Sequence, residues 1–181
     1  GITVSTGITG EADTTWMIRQ LLASKARFCV LWAVIFKKEL LEGCLTAPST
    51  IRSGEDILMQ ILCLVKRPKV VFIDDVVYEY TAGLPNNRRQ NLDEQRAYDI
   101  HLREGLAPVW NEMKDYYLLR QIKQYENFIA SGDFHVLDDY FRPLRLQLSS
   151  RIPLADRIAI LLPPCLAYIP IKLRKLVCFS S

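Results

Sequence analysis

Histidine is scarce in this sequence: there are two, His101 and His135, too few and too far apart for a metal cluster. The five cysteines, at positions 29, 44, 63, 165 and 178, include no Cys-x-x-Cys pair. Zinc needs closely spaced thiolates and imidazoles, so no zinc site is expected. The cysteines are odd in number, and free thiols in a reducing cytosol are the simplest expectation. A run of about 18 consecutive apolar residues is also missing, so no simple spanning helix is expected. Charge of one sign is nearly missing too. The formal net charge is only +3, and no Lys/Arg cluster is interleaved with aromatics as a nucleic-acid groove requires. Nucleic acid is therefore not an expected partner. There is no internal repeat and no low-complexity stretch. The opening residues, Gly1-Ile2-Thr3-Val4-Ser5, have neither the basic start nor the apolar run of a signal peptide, and they read as the edge of a longer chain.

What is present is apolar patterning. Hydrophobic residues make up 50% of 181, enough for a packed core. Residues 14–26 predict a short helix with Trp16, Ile18, Leu21 and Leu22 on its apolar face and Asp13 or Thr14 as its cap. The unbroken apolar run from Phe28 to Phe36 predicts a buried strand. Lys37 to Glu42 begins a short helix that Gly43 stops. Ser53-Gly54-Glu55-Asp56 opens a helix ending near Pro68. Val70 to Ile73 and Val76 to Tyr80 predict a hairpin joined through Asp74-Asp75, and two adjacent carboxylates there read as a turn, not a metal site. From Leu92 the period is helical: Leu92 to Leu106, then Val109 to Ser131, separated near Pro108 and ended by Ser131-Gly132-Asp133. A further piece starts at Val136 to Tyr140. From Arg142 on, five prolines (143, 153, 163, 164 and 170) divide an apolar, basic tail. The expected fold class is α+β, with a partial sheet in residues 1–85, a helical extension in 86–141 and the tail in 142–181.

Three segments occur in a specific order. They are Leu31-Trp32-Ala33-Val34-Ile35-Phe36-Lys37-Lys38-Glu39-Leu40-Leu41, Ser53-Gly54-Glu55-Asp56, and Val71-Phe72-Ile73-Asp74-Asp75-Val76-Val77-Tyr78-Glu79-Tyr80. An apolar strand with Trp, a short basic helix, a Gly-Glu-Asp helix start and a hairpin ending Tyr-x-Tyr resemble the second half of the catalytic domain in family 2 glycosyltransferases. The resemblance covers roughly residues 10–85. It implies a GT-A-like sheet and transfer of a sugar from a nucleotide-diphosphate donor to a saccharide or lipid-linked acceptor. Such enzymes usually serve bacterial cell-envelope or capsule polysaccharide synthesis, in the cytoplasm or peripherally at the inner face of the membrane. The family's uridine-binding Asp and metal-binding Asp-x-Asp would lie before Gly1. The resemblance therefore implies no cofactor in these residues, a divalent metal (Mn or Mg) with the donor elsewhere, and no transfer by this chain alone.

The resemblance makes Asp56 the candidate catalytic base, a carboxylate that deprotonates the acceptor hydroxyl. The competing reading is structural: Ser53-x-x-Asp56 has the spacing of a capping box. A helix N-terminus would also be expected to lower the Asp56 pKa. Glu55 either orients the acceptor or only complements the helix dipole. Trp32 could stack on a sugar or fill the core. Tyr78 and Tyr80 share one strand face, and could line the acceptor cleft or pack on a helix. Arg88 and Arg89 could meet a diphosphate or remain solvated.

Two non-enzymatic readings stand beside this one. An exposed sheet edge could pair with a second copy as a homodimer. The tail sets Arg142, Arg145, Arg151, Arg157, Lys172, Arg174 and Lys175 against one acid, Asp156, among aliphatic residues. It would either lie on an anionic membrane surface or fold back on the helices.

Overall fold

A computed structural model describes residues 7–26, 28, 31, 34–45, 51–73 and 91–178. The architecture is α+β: one small antiparallel sheet and a mainly helical remainder. The chain divides into two compact units, Gly1–Met113 and Lys114–Ser181.

In the first unit, strand β1 (Gly10–Ala12) pairs antiparallel with β2 (Val70–Phe72), with Glu11 opposite Val71. Lys69 forms an ion pair with Glu11 beside this ladder. Helix α1 (Thr14–Leu22) starts where sequence places it, because the Asp13 carboxylate accepts the Trp16 N–H at 2.6 Å. Its buried face is Met17, Ile18, Leu21 and Leu22, while Trp16 is partly exposed. Helix α2 (Glu55–Val65) buries Leu58, Ile61 and Leu64, packs on α1, and on its other side meets α3 (Leu92–Gly105). The approach to α3 is close: a Cβ at Gly105 would run into the Leu62 side chain.

One expectation about strands changes, and one pairing is new. None of the described residues between Phe28 and Phe36 is in a strand. Phe28 is buried through its ring, 5.8 Å from that of Trp16 and 5.5 Å from that of Phe72. Ile35, by contrast, is 96% exposed. Among the described residues of the run Phe28 is interior while Val34 and Ile35 are exposed, so an apolar run does not by itself choose a buried strand. The second finding is a partner of β2 that the sequence did not suggest. It is β1, a Gly-Glu-Ala segment with low strand propensity. Residues 76–80 lie outside the described residues. The helix expected from Lys37 is a 3-10 turn, Lys38–Leu41, stopped by Gly43 at φ +70°. The Lys66 ammonium donates to the carbonyls of Leu40 (3.0 Å) and Glu42, closing that turn against the end of α2.

Asn91 caps α3 by accepting from the N–H groups of Asp93 (2.8 Å) and Glu94 (3.2 Å). A 3-10 turn at Ala107–Val109 carries Pro108 and leads into α4 (Trp110–Ala130). Helix α4 ends in a Schellman turn. Gly132, at φ +88°, donates to Ile129 (2.9 Å) and Asp133 donates to Phe128 (3.1 Å).

The second unit collects most of α4, a π-to-3-10 segment over Leu137–Leu146, α5 (Leu154–Leu161) and α6 (Pro164–Cys178). Phe141 is its hub, with ring centroids 5.9 Å from Tyr125 and 6.0 Å from Phe128. Pro163 and Pro164 have no N–H to continue α5. The Arg145 guanidinium takes that place, donating to the carbonyls of Ile160 (2.9 Å) and Leu162 (3.2 Å).

Beneath α5 lies a buried ionic cluster. The side chains of Glu126 on α4 and Asp156 on α5 are each 3% exposed. Lys123 reaches Asp156 at 2.7 Å, and Arg174 on α6 reaches Asp156 at 2.9 Å and also pairs with Glu126. Burial raises the Glu126 pKa against the pull of both cations, while the two acids raise that of Arg174.

Candidate functional site

The Ser53-Gly54-Glu55-Asp56 segment opens α2, but not through a capping box. The N-cap is Gly54, in the left-handed region at φ +81°, and no side chain caps the helix. Glycine adopts that conformation without Cβ strain, which explains why the helix starts one residue later than Ser53 suggests. The Gly54 carbonyl accepts from Leu58 at 3.0 Å, so Glu55 and Asp56 occupy the first turn. Both are half-buried.

The Asp56 carboxyl departs from the expected direction: its pKa lies above the ordinary aspartate range. Burial is the main cause, and the neighbouring Glu55 charge adds to it. Here desolvation and like charge outweigh the helix dipole. The result is a better proton acceptor than an exposed aspartate, in a position that no cap hydrogen bond occupies.

A cleft of about 420 Å³ is lined by Arg52, which precedes this turn in sequence, and by Asn91, Asp93, Glu94 and Ala97; Asp56 is not among its lining residues. The start of α3 and the segment leading into α2 are tied together there, since the Arg52 N–H donates to the Glu94 carboxylate. Sequence reasoning missed these lining residues. Nothing local in the sequence linked Asn91 or Glu94 to Arg52, 42 positions from Glu94.

Trp32, Tyr78, Tyr80, Arg88 and Arg89, together with Asp74-Asp75, lie outside the described residues. Among the described residues, no three His, Cys, Asp or Glu side chains converge where they could hold a metal ion. The thiols of Cys44 and Cys63 are free and buried, and Cys165 is free and exposed. Burial, with the Cys44 thiol beside it, pushes Cys63 up to about 12, which keeps it protonated and unreactive at neutral pH. No helix among the described residues is long and apolar enough to cross a membrane. Comparison with known protein families, curated proteins and solved structures finds no match to this chain.

Proposed function

We propose that the chain is the acceptor-side part of a glycosyltransferase of the family 2 type, with Asp56 as its general base. The observation that carries this reading is the Asp56 carboxylate. It is held on the first turn of α2 by the left-handed Gly54, free of capping duty, and raised in proton affinity by burial and by Glu55. In the proposed reaction an acceptor hydroxyl attacks the anomeric carbon of the donor sugar. Asp56 takes the hydroxyl proton, the new glycosidic bond forms, and the nucleoside diphosphate leaves with the electron pair of the broken bond. The cleft bounded by Arg52, Asn91, Asp93 and Glu94 offers the mixed donors and acceptors that a saccharide needs. Donor and divalent metal belong, in this reading, to residues before Gly1, so no step is routed through a metal here.

The test uses a protein that carries this chain together with a donor-binding half. Asp56→Asn lowers turnover about 10²–10⁴-fold, the usual cost of a lost general base, while donor affinity and circular dichroism stay unchanged. The wild-type rate falls on the acid side as Asp56 takes up its proton. Because its pKa is raised, that limb sits above the pH of an ordinary aspartate. Glu55→Gln removes the like charge, so the limb moves to lower pH. Wild-type turnover in Asp56→Asn would refute the assignment. A second reading, a surface-binding module, is favoured by a separate observation on α5 and α6.

A further inference from the structure

Both helices of the tail carry an outward aliphatic stripe. On α5, Leu154, Ile158 and Leu161 recur at helical spacing and are 63%, 47% and 54% exposed. On α6, Leu166, Ile169 and Leu173 do the same, at 60%, 63% and 58%. The opposite faces are the interior ones: Asp156, Ala159 and Ile160 on α5, and Ala167 and Ile171 on α6. The described aliphatic residues of α5 and α6 therefore divide, some folded back into the unit and these six left facing water. Isolated exposed aliphatics are ordinary, but a stripe on each of two consecutive helices that pack on one another supplies apolar surface of the kind that marks a binding site.

Charge indicates what covers it. Residues 142–174 hold six cations against one acid, Asp156. Arg142 pairs with Asp138, Arg151 with Asp115 and Arg174 with Glu126 and Asp156, while Arg145 donates to the carbonyls of Ile160 and Leu162, which leaves Arg157 and Lys172. Asp156 is buried and already neutralised by Lys123 and Arg174, so this stretch offers solvent no carboxylate of its own. Arg157 and Lys172 stand on the same helices as the stripes and have no acidic partner among the described residues. A second copy of the chain fits poorly. A two-fold contact sets a patch against itself, and these cations would face their own images. An anionic lipid surface satisfies both features, since acyl chains take the aliphatic side chains and headgroups take the cations.

We propose that α5 and α6 form a docking surface for an anionic lipid bilayer, lying in the interface with Leu154, Ile158, Leu161, Leu166, Ile169 and Leu173 turned toward the acyl chains. The surface goes beyond the glycosyltransferase reading and does not depend on it, so Asp56→Asn leaves it intact. The experiment is sedimentation of the full chain, at low salt, with vesicles of phosphatidylcholine alone or mixed with phosphatidylglycerol. The chain pellets with the anionic vesicles and stays in the supernatant with the neutral ones. Ile169→Asp weakens binding at least about tenfold, and the uncharged Leu166→Ser/Ile169→Ser does so comparably. Ile100→Asp makes the same charge change at an exposed position on α3 and leaves binding within about twofold. Circular dichroism confirms that the variants remain folded. Recovery of the wild-type chain in the supernatant with anionic vesicles overturns the proposal. So does equal pelleting of wild type, Ile169→Asp and the double serine variant. A dimer by light scattering that Ile169→Asp abolishes, without vesicle binding, assigns the patch to a second copy and likewise overturns it.

Discussion

In the unit Gly1–Met113 the helices turn most of their described aliphatic side chains inward, Ile100 excepted, and leave their ion pairs in water, whereas in the unit Lys114–Ser181 helix α5 buries Asp156 and turns Leu154, Ile158 and Leu161 outward. The ion pairs of the first unit, Arg67 with Glu112, Lys69 with Glu11 and Arg96 with Asp93, are exposed and contribute little. Its one described buried acid, Asp99, takes a neutral hydrogen bond from Gln95 at 2.8 Å. The second unit instead encloses two carboxylates with two cations recruited from α4 and α6. A buried charge is tolerable only when its counter-charge is fixed nearby, so α5 and α6 are positioned by electrostatics as much as by packing. That frees their outer faces from any duty in the core.

The sharpest break of this contrast is Asp156→Ala. Lys123 and Arg174 then share only Glu126, and the loss of one partner in a buried ionic cluster costs about 3–5 kcal/mol. Hydrogen exchange checks it: protection falls in α5 and α6, while α1 and α2 stay as they were. Arg145→Ala comes next. It removes two charge-assisted hydrogen bonds, one to the Ile160 carbonyl, which Pro164 leaves open, and one to the Leu162 carbonyl, where the chain turns out of the helix. The expected loss is about 1–3 kcal/mol by denaturant unfolding, and Arg145→Lys restores part of it. The smallest effect has the opposite sign. The Tyr125 hydroxyl is buried without a hydrogen-bond partner among the described residues, and burial pushes its pKa to about 12. Tyr125→Phe removes an unsatisfied group and raises stability by up to about 1 kcal/mol. A loss of similar size instead would show that the hydroxyl has a partner.

Local signals in the sequence were read correctly where a single residue sets the backbone. Asp13 starts α1, Gly43 stops the 3-10 turn, Pro108 separates α3 from α4, and Gly132 ends α4. The expected α+β class with a mainly helical later part follows from those elements. What local reasoning missed depends on distant partners. Strand β1 exists because Val70–Phe72 offers it a ladder, not because Gly-Glu-Ala prefers extension. At the candidate site, Ser53 had the spacing of a cap, yet Gly54 wins by reaching a left-handed conformation that strains a residue with a Cβ. The raised pKa of Asp56 was hidden because burial is a property of the assembled unit. The ionic cluster left one faint trace, a single acid in a basic tail. A solitary carboxylate among so many cations is a reason to look for a buried pair.

Pro170 lies inside α6, on the same outward side as Leu166 and Ile169. Having no N–H, it leaves the Leu166 carbonyl without its usual donor one turn back. Such an oxygen must keep contact with water or a headgroup, because hydrocarbon offers it nothing. Against a bilayer, the helix therefore carries its own depth gauge: aliphatic side chains draw it down, and one unserved carbonyl on the same face stops it at the level water still reaches.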